Sequence, residues 1–297
     1  MSELIKITSS IKKESDGFEK KLKDIVTSDD NFLKDYLVDF VFSNPKRLRP
    51  TITYLLSKIL NIKDDFVDNI ALSLELIHSA SLIHDDILDE AILRRNKQTF
   101  YNKFGSKIAV LEGDFLLSSA LEILSNCPKD IIKIFSKKIK ETLLGELNQN
   151  SNLNKIQTVD DYINKNLSKT TNLFLAGLES LFCLKTVDEK TKDSLLNFLK
   201  NYSIAFQIKN DIANIENENS SDIKCGNYTL PVIYFCLEND IKEFRVEDFN
   251  SKKAIYIAKT LKKVEEYKNL SIKFLENIEN SIYKEELVKL CEFTLRS

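Results

Sequence analysis

Asp85, Asp86, Asp89 and Glu90 close a segment, beginning near Glu75, that also holds both histidines of the chain, His78 and His84. If the segment is helical, Asp85 and Asp89 stand one turn apart on one face, and His78, seven residues before Asp85, shares it. Four acids at a helix C-terminus oppose the macrodipole, which costs free energy unless a cation sits there. One reading is a solvated acidic end answered by Arg94 and Arg95. The other is a magnesium site, in which hard carboxylate oxygens gather divalent ions that also hold substrate phosphates. Taken alone, the two readings balance.

The scarcity of arginine tips that balance. Only six of the 43 basic residues are arginine, and four of the six fall in Lys46-Arg47-Leu48-Arg49 and Arg94-Arg95. The planar guanidinium grips phosphate or carboxylate with two parallel bonds, which lysine cannot imitate. Asn44 to Pro50 places its cations at the mouth of a helix, suited to an anion. Two further groups are weaker: Lys169-Thr170, preceded by Tyr162, and Gln207, Asn210, Asp211 and Asn214 on roughly one helical face. Lys169 is one lysine among 37 and defaults to a surface role. Together these residues supply metal ligands, two cation clusters and spare amide and hydroxyl groups, the requirements for binding two diphosphates.

The elements that must position them are helices. Six glycines and four prolines in 297 residues are too few for the turns of a sandwich, barrel or Rossmann sheet. The apolar pattern predicts helices near 2–26, 31–42, 48–60, 65–90, 102–125, 129–150, 159–182, 188–216, 229–237, 251–277 and 284–295. Thr158 with Asp160 and Asp161, and Asp188 with Glu189, read as helix starts. No composition break marks a second domain, so residues 1–297 read as one. A net charge of −2 excludes a nucleic-acid glove or a polybasic membrane arm. The richest apolar stretch, Ala71 to Ile83, is interrupted by Glu75 and His78, so no membrane span is expected. Five widely spaced cysteines without a Cys-x-x-Cys pair read as reduced thiols in a cytoplasmic protein, with no zinc site.

The chain resembles the all-trans polyprenyl diphosphate synthases, most of all the long-chain octaprenyl enzymes. The resemblance rests on Lys46-Arg47-Leu48-Arg49-Pro50, on His84-Asp85-Asp86-Ile87-Leu88-Asp89-Glu90 followed by Arg94-Arg95, and on Glu112-Gly113-Asp114. It continues through Gly145-Glu146, Lys169-Thr170, Ala205-Phe206-Gln207 and Thr229-Leu230-Pro231. It implies an all-α antiparallel helical bundle around a central cavity, of the isoprenoid synthase type, usually a homodimer. The implied reaction joins isopentenyl diphosphate to an allylic diphosphate with two to three magnesium ions. Lys46, Arg49, His78 and Arg95 are then expected to hold the isopentenyl diphosphate. Asp85 and Asp89 are expected to hold magnesium on the allylic diphosphate with Arg94 assisting, and Lys169, Thr170 and Gln207 to complete that site. A peripheral membrane contact on product release is a further partner.

Short-chain relatives carry bulky aromatics at the fourth and fifth positions before the first aspartate; Ser81 and Ala80 stand there here. With Ile77 a further turn down, these small residues predict an open tunnel and a product of about eight isoprene units. Packing against another helix is the competing reason for their size. The second aspartate motif of the family, Asp-Asp-x-x-Asp, reads Asn210-Asp211-Ile212-Ala213-Asn214, and Asn227 stands where a lysine is usual. Asp211 is therefore the one carboxylate left there as a metal ligand. That departure keeps a non-catalytic partner subunit open beside an active synthase. A short-chain farnesyl or geranylgeranyl synthase is a further alternative. A terpene cyclase fits less well, since it needs no second diphosphate site.

Overall fold

Apolar residues recurring every three to four positions, with few glycines or prolines to interrupt them, fold as helices throughout. The computed structural model describes residues 3–28, 32–150, 153–216, 223 and 226–296, without the side chains of 5, 148–150, 166, 168 and 169. The helices are α1 (Glu3–Ile7), α2 (Lys12–Val26), α3 (Lys34–Phe42), α4 (Leu48–Ile59), α5 (Phe66–Leu88), α6 (Phe100–Phe104), α7 (Ser106–Ser125) and α8 (Lys129–Asn150). There follow α9 (Val159–Asn166), α10 (Asn172–Leu184), α11 (Glu189–Glu216), α12 (Leu230–Glu238), α13 (Val246–Asn250), α14 (Lys253–Leu275) and α15 (Ile282–Thr294). A short 3-10 turn, Ser9–Ile11, precedes α2, and a π-helical turn, Leu167–Thr171, joins α9 to α10. The single helix expected over 159–182 is thus interrupted, and the interruption contains Lys169-Thr170. A two-stranded antiparallel ladder, β1 (Leu93–Arg94) with β2 (Lys97–Gln98), was not foreseen either.

The described residues form two compact units. One comprises those of Met1–Phe135, Ala176–Thr186 and Ser281–Leu287; the other those of Ser136–Leu175, Val187–Asn280 and Val288–Ser297. Three of the five boundaries fall within helices, in α8, α10 and α15, and the other two in the short connections α10–α11 and α14–α15, which is why no composition break announces them. In the first unit α5 is the core helix: Val67 and the run Ile70 to Ile77 are buried, packed by α4 and α7. Among the described residues α5 is also the one helix long and apolar enough to cross a membrane, and two thirds of its apolar window is buried inside the protein. In the second unit α11 packs on α14, burying Leu195, Phe198, Leu199 and Tyr202, whose ring stacks on Phe198 and Phe206.

Local chemistry sets the helix ends as the sequence predicts at two places. Thr158 caps α9, its hydroxyl accepting from the Asp161 backbone N–H at 3.1 Å while Asp161 accepts from the Thr158 N–H at 3.3 Å. Asp188 accepts from the Thr191 N–H at 3.0 Å at the start of α11. The described cysteines, Cys127, Cys183, Cys236 and Cys291, are free thiols, and all but Cys183 are buried. Cys225 lies outside the described residues.

Candidate active site

In the first unit the acidic end of α5 divides its carboxylates between two tasks. Asp86, 1% exposed, is turned inward onto Arg94, whose Nε donates to its two oxygens at 2.9 and 3.0 Å and whose Nη2 donates at 2.8 Å. Burial lifts the Asp86 carboxyl above its ordinary range and Arg94 pulls it back. Asp85, half-buried, and Asp89, exposed, point the other carboxylates outward one turn apart. No group of three or more acidic, histidine or cysteine side chains that could hold a metal occurs among the described residues. Two hard carboxylates one turn apart fit an ion that takes the rest of its coordination from substrate oxygens and water, as magnesium does.

The position of Asp85 depends on its neighbour. The His84 ring lies against Gly113 of α7, so closely that a methyl group there would fall 2.2 Å from Nε2. A side chain at 113 would force the His84 ring to move. Asp114 stands 3.6 Å from the same nitrogen.

The cations surround the upper part of α5. β1 and β2 are joined by Arg95 and Asn96, both at positive φ (52° and 63°), the backbone of a type I′ hairpin. This conformation is unusual for arginine and sets Arg95 at the tip, donating to the Ser43 carbonyl at 2.8 Å. Arg47, also left-handed at φ 48°, is turned the other way. Its guanidinium donates to Glu19 at 2.8 Å and to the buried Glu75 at 2.7 Å, and lies 5.2 Å from the Phe42 ring centroid. Arg47 is thus an anchor for the loop, leaving Lys46 and Arg49 on either side of it as the cations of that motif. Burial and the Arg95 charge push the Lys46 ammonium down, while burial and Arg94 push Arg95 down against the pull of Glu75. Burial, then Arg49, Arg94, Arg95 and Arg47, drives His78 well below its ordinary value. A bound polyanion would relieve all of these shifts at once. A small cavity of about 20 Å³ here is lined by Tyr36, Phe40, Ser43, Leu82, Arg94 and Arg95. One turn below Asp85, Ser81 is half-buried and donates to the His78 carbonyl at 2.8 Å; Ala80 and Ile77 are 3% and 7% exposed.

In the second unit Thr170 donates to Gln207 Oε1 at 2.8 Å, and Gln207 Nε2 donates to Asp211 Oδ1 at 2.7 Å. Tyr162 donates to Asp211 Oδ2 at 2.5 Å. Asp211 is 6% exposed with each oxygen so occupied, and the neighbouring positions Asn210 and Asn214 carry amides. Asp211, expected to hold a metal, thus meets Tyr162 and Gln207 through its two oxygens. Asn227 accepts from Lys165 Nζ at 2.9 Å, so a cation attends this position from α9 instead of from the loop. Lys169 belongs to the π turn, and its side chain lies outside the described residues. Sequence reasoning missed the roles of Glu75, Gly113 and Tyr162; of these only Gly113, a glycine inside an apolar helix, gives a sequence clue.

An all-α chain with an outward pair of carboxylates beside a ring of cations defines a class of enzymes that handle diphosphates. A family model for polyprenyl synthetase matches residues 30–267. A prenyl transferase of Cyanidium caldarium is 31% identical over 295 residues, covering 93% of this chain and 91% of the relative. The heptaprenyl diphosphate synthase component 2 of Bacillus subtilis is 31% identical over 247 residues, 80% and 70% of the two chains. A polyprenyl synthase from Caulobacter crescentus, solved with calcium and isoprenyl diphosphate, shares the fold at a TM-score of 0.87, with 22% identity over 99% of this chain and 98% of that one. The chain belongs to the polyprenyl synthetase family.

Proposed function

We propose that the chain is a magnesium-dependent prenyltransferase that condenses isopentenyl diphosphate with an allylic diphosphate, repeatedly, to a long all-trans polyprenyl diphosphate. The observation that carries this reading is the Asp85–Asp89 pair together with Lys46, Arg49, His78 and Arg95; a polyanion would reverse the depressed basicity of Lys46, His78 and Arg95. The long-chain part is supported by relatives named for heptaprenyl, solanesyl and decaprenyl products and by the small residues at 80 and 81.

Magnesium, when bound, neutralises charge on the departing diphosphate and so favours ionisation of the allylic C–O bond. Asp85 and Asp89 would hold it, and the Gly113–His84 contact fixes the turn that carries Asp85. Lys46, Arg49, His78 and Arg95 hold the diphosphate of the nucleophile and so orient its double bond. His78, neutral in the free protein, can donate one N–H to that anion. Asp86 keeps Arg94 in place behind the acidic pair. Lys169, Thr170 and Gln207 are assigned to the allylic diphosphate.

The test is direct: purified protein with magnesium, labelled isopentenyl diphosphate and farnesyl diphosphate, with products sized by chromatography. Products of about eight isoprene units support the assignment; no elongation at any magnesium concentration overturns it.

A further inference from the structure

Tyr162, Asp211, Gln207 and Thr170 make one buried hydrogen-bonded chain drawn from α9, α11 and the π turn. Its direction follows from chemistry. A carboxylate only accepts, so the edge of Gln207 that meets Asp211 must be the NH₂ group. The Gln207 oxygen then faces the Thr170 hydroxyl and is used there. One N–H of the amide is left over, and no oxygen of it competes for that direction. Gln207 is half-buried, while Asp211 and Tyr162 are 6% and 1% exposed, so the two hidden residues fix the polarity of the one nearer solvent. Burying a carboxylate against two neutral donors is costly in any other role, since each donor is satisfied only while the other holds the group still.

We propose that Asp211 and Tyr162 are positioning residues, which lock the Gln207 amide so that it offers N–H rather than oxygen to the allylic diphosphate, and that Asp211 is not a metal ligand. The role rests on the assignment of Gln207 to that diphosphate. Without Asp211 the amide is free to turn, and in half its orientations it presents a lone pair to an anion.

The test uses the whole chain with farnesyl thiodiphosphate, an allylic analogue slow to ionise, measured by equilibrium binding at saturating magnesium. Asp211→Asn, whose own amide allows Gln207 to turn over, is expected to weaken the analogue about tenfold, and Tyr162→Phe about threefold. The KM for isopentenyl diphosphate and the magnesium midpoint of analogue binding should stay within about twofold of wild type. Tyr162→Phe removes only one hydroxyl, and its urea midpoint confirms that the variant is folded. A second readout is the double-mutant cycle of Tyr162→Phe with Asp211→Asn in urea unfolding, which should be non-additive. A tenfold rise in the magnesium midpoint of Asp211→Asn, with analogue affinity recovered at saturation, would make Asp211 a metal ligand and overturn the proposal. Unchanged analogue affinity in both variants overturns this role alone. A wild type that binds no analogue overturns the role and the proposed function together.

Discussion

Burial, and after it the crowding of like charge, governs the acid–base behaviour of Lys46, His78 and Arg95. His78 is neutral in the fold because it is buried among four guanidinium groups, whereas in the unfolded chain it takes a proton near its ordinary value. The unfolded state therefore binds more protons below about pH 6.5, and stability falls as pH drops through that value and below. Urea midpoints measured from pH 7.5 to 5 should decline for wild type, and His78→Gln should flatten part of that slope. The acidic pair makes a different prediction. Asp85→Asn or Asp89→Asn should keep the helical circular dichroism of the wild type yet lower turnover by about a thousandfold or more at saturating magnesium. Near-normal turnover in either would remove the pair from the site. The pair and the cation clusters were legible because rare residue types gathered at helical spacing. Asp211 was legible as a residue and not as a role: its position one step from Asn210 on α11 turns it about 100° away, and only the structure shows Tyr162 waiting there.

The helices themselves were readable because each buries a face at its own period, and α5 shows the limit of that reading. A helix buried nearly all round loses its amphipathic stripe, so its core character and its membrane-like composition look alike in sequence. The β-hairpin was not readable, since two-residue strands have no period and Arg95-Asn96 is an unusual pair for a type I′ turn. The π turn was hidden for a similar reason: its residues continue the helical pattern. Along α5, Ala80 is 3% exposed and Ser81 half-buried, which separates two explanations of their small size. Phenylalanine at 80 would overpack the core at a cost of about 1–3 kcal/mol. Phenylalanine at 81 has room and should block elongation, so Ser81→Phe is expected to shorten the product with its Tm nearly unchanged. Full-length product from that variant at normal rate would show that the growing chain does not pass Ser81.

Taken as a whole, the molecule raises the question of its partners, because one relative is named as component 2 of a heptaprenyl diphosphate synthase. The complete set of cations and the acidic pair in this chain lead to the expectation that it elongates isopentenyl diphosphate with no second polypeptide present. Activity that appears only on adding another chain from the same cell would assign it to a heteromer. The exposed Val110 and Leu121 share one side of α7, with the exposed Leu111 about 100° round the helix from Val110, and exposed apolar groups of this kind would suit contact with a second copy. Sedimentation of the wild type against Leu111→Glu tests this: a wild-type dimer that dissociates in the variant supports the contact, and a wild-type monomer, or a dimer unchanged in the variant, removes it.

The π turn at Leu167–Thr171 carries an evolutionary consequence. Such a turn holds one residue more than an α-helical turn of the same pitch. Losing any one residue there would heal α9 and α10 into an uninterrupted helix, and the healed form would gain regular hydrogen bonds. The wide turn already absorbs the extra residue, so the helices on either side would keep their relation, and what would be lost is the turn that brings the Thr170 hydroxyl to Gln207. In this stretch a shorter and more regular chain is a damaged one, so lineages descending from this sequence are expected to tolerate substitutions here far more readily than changes of length.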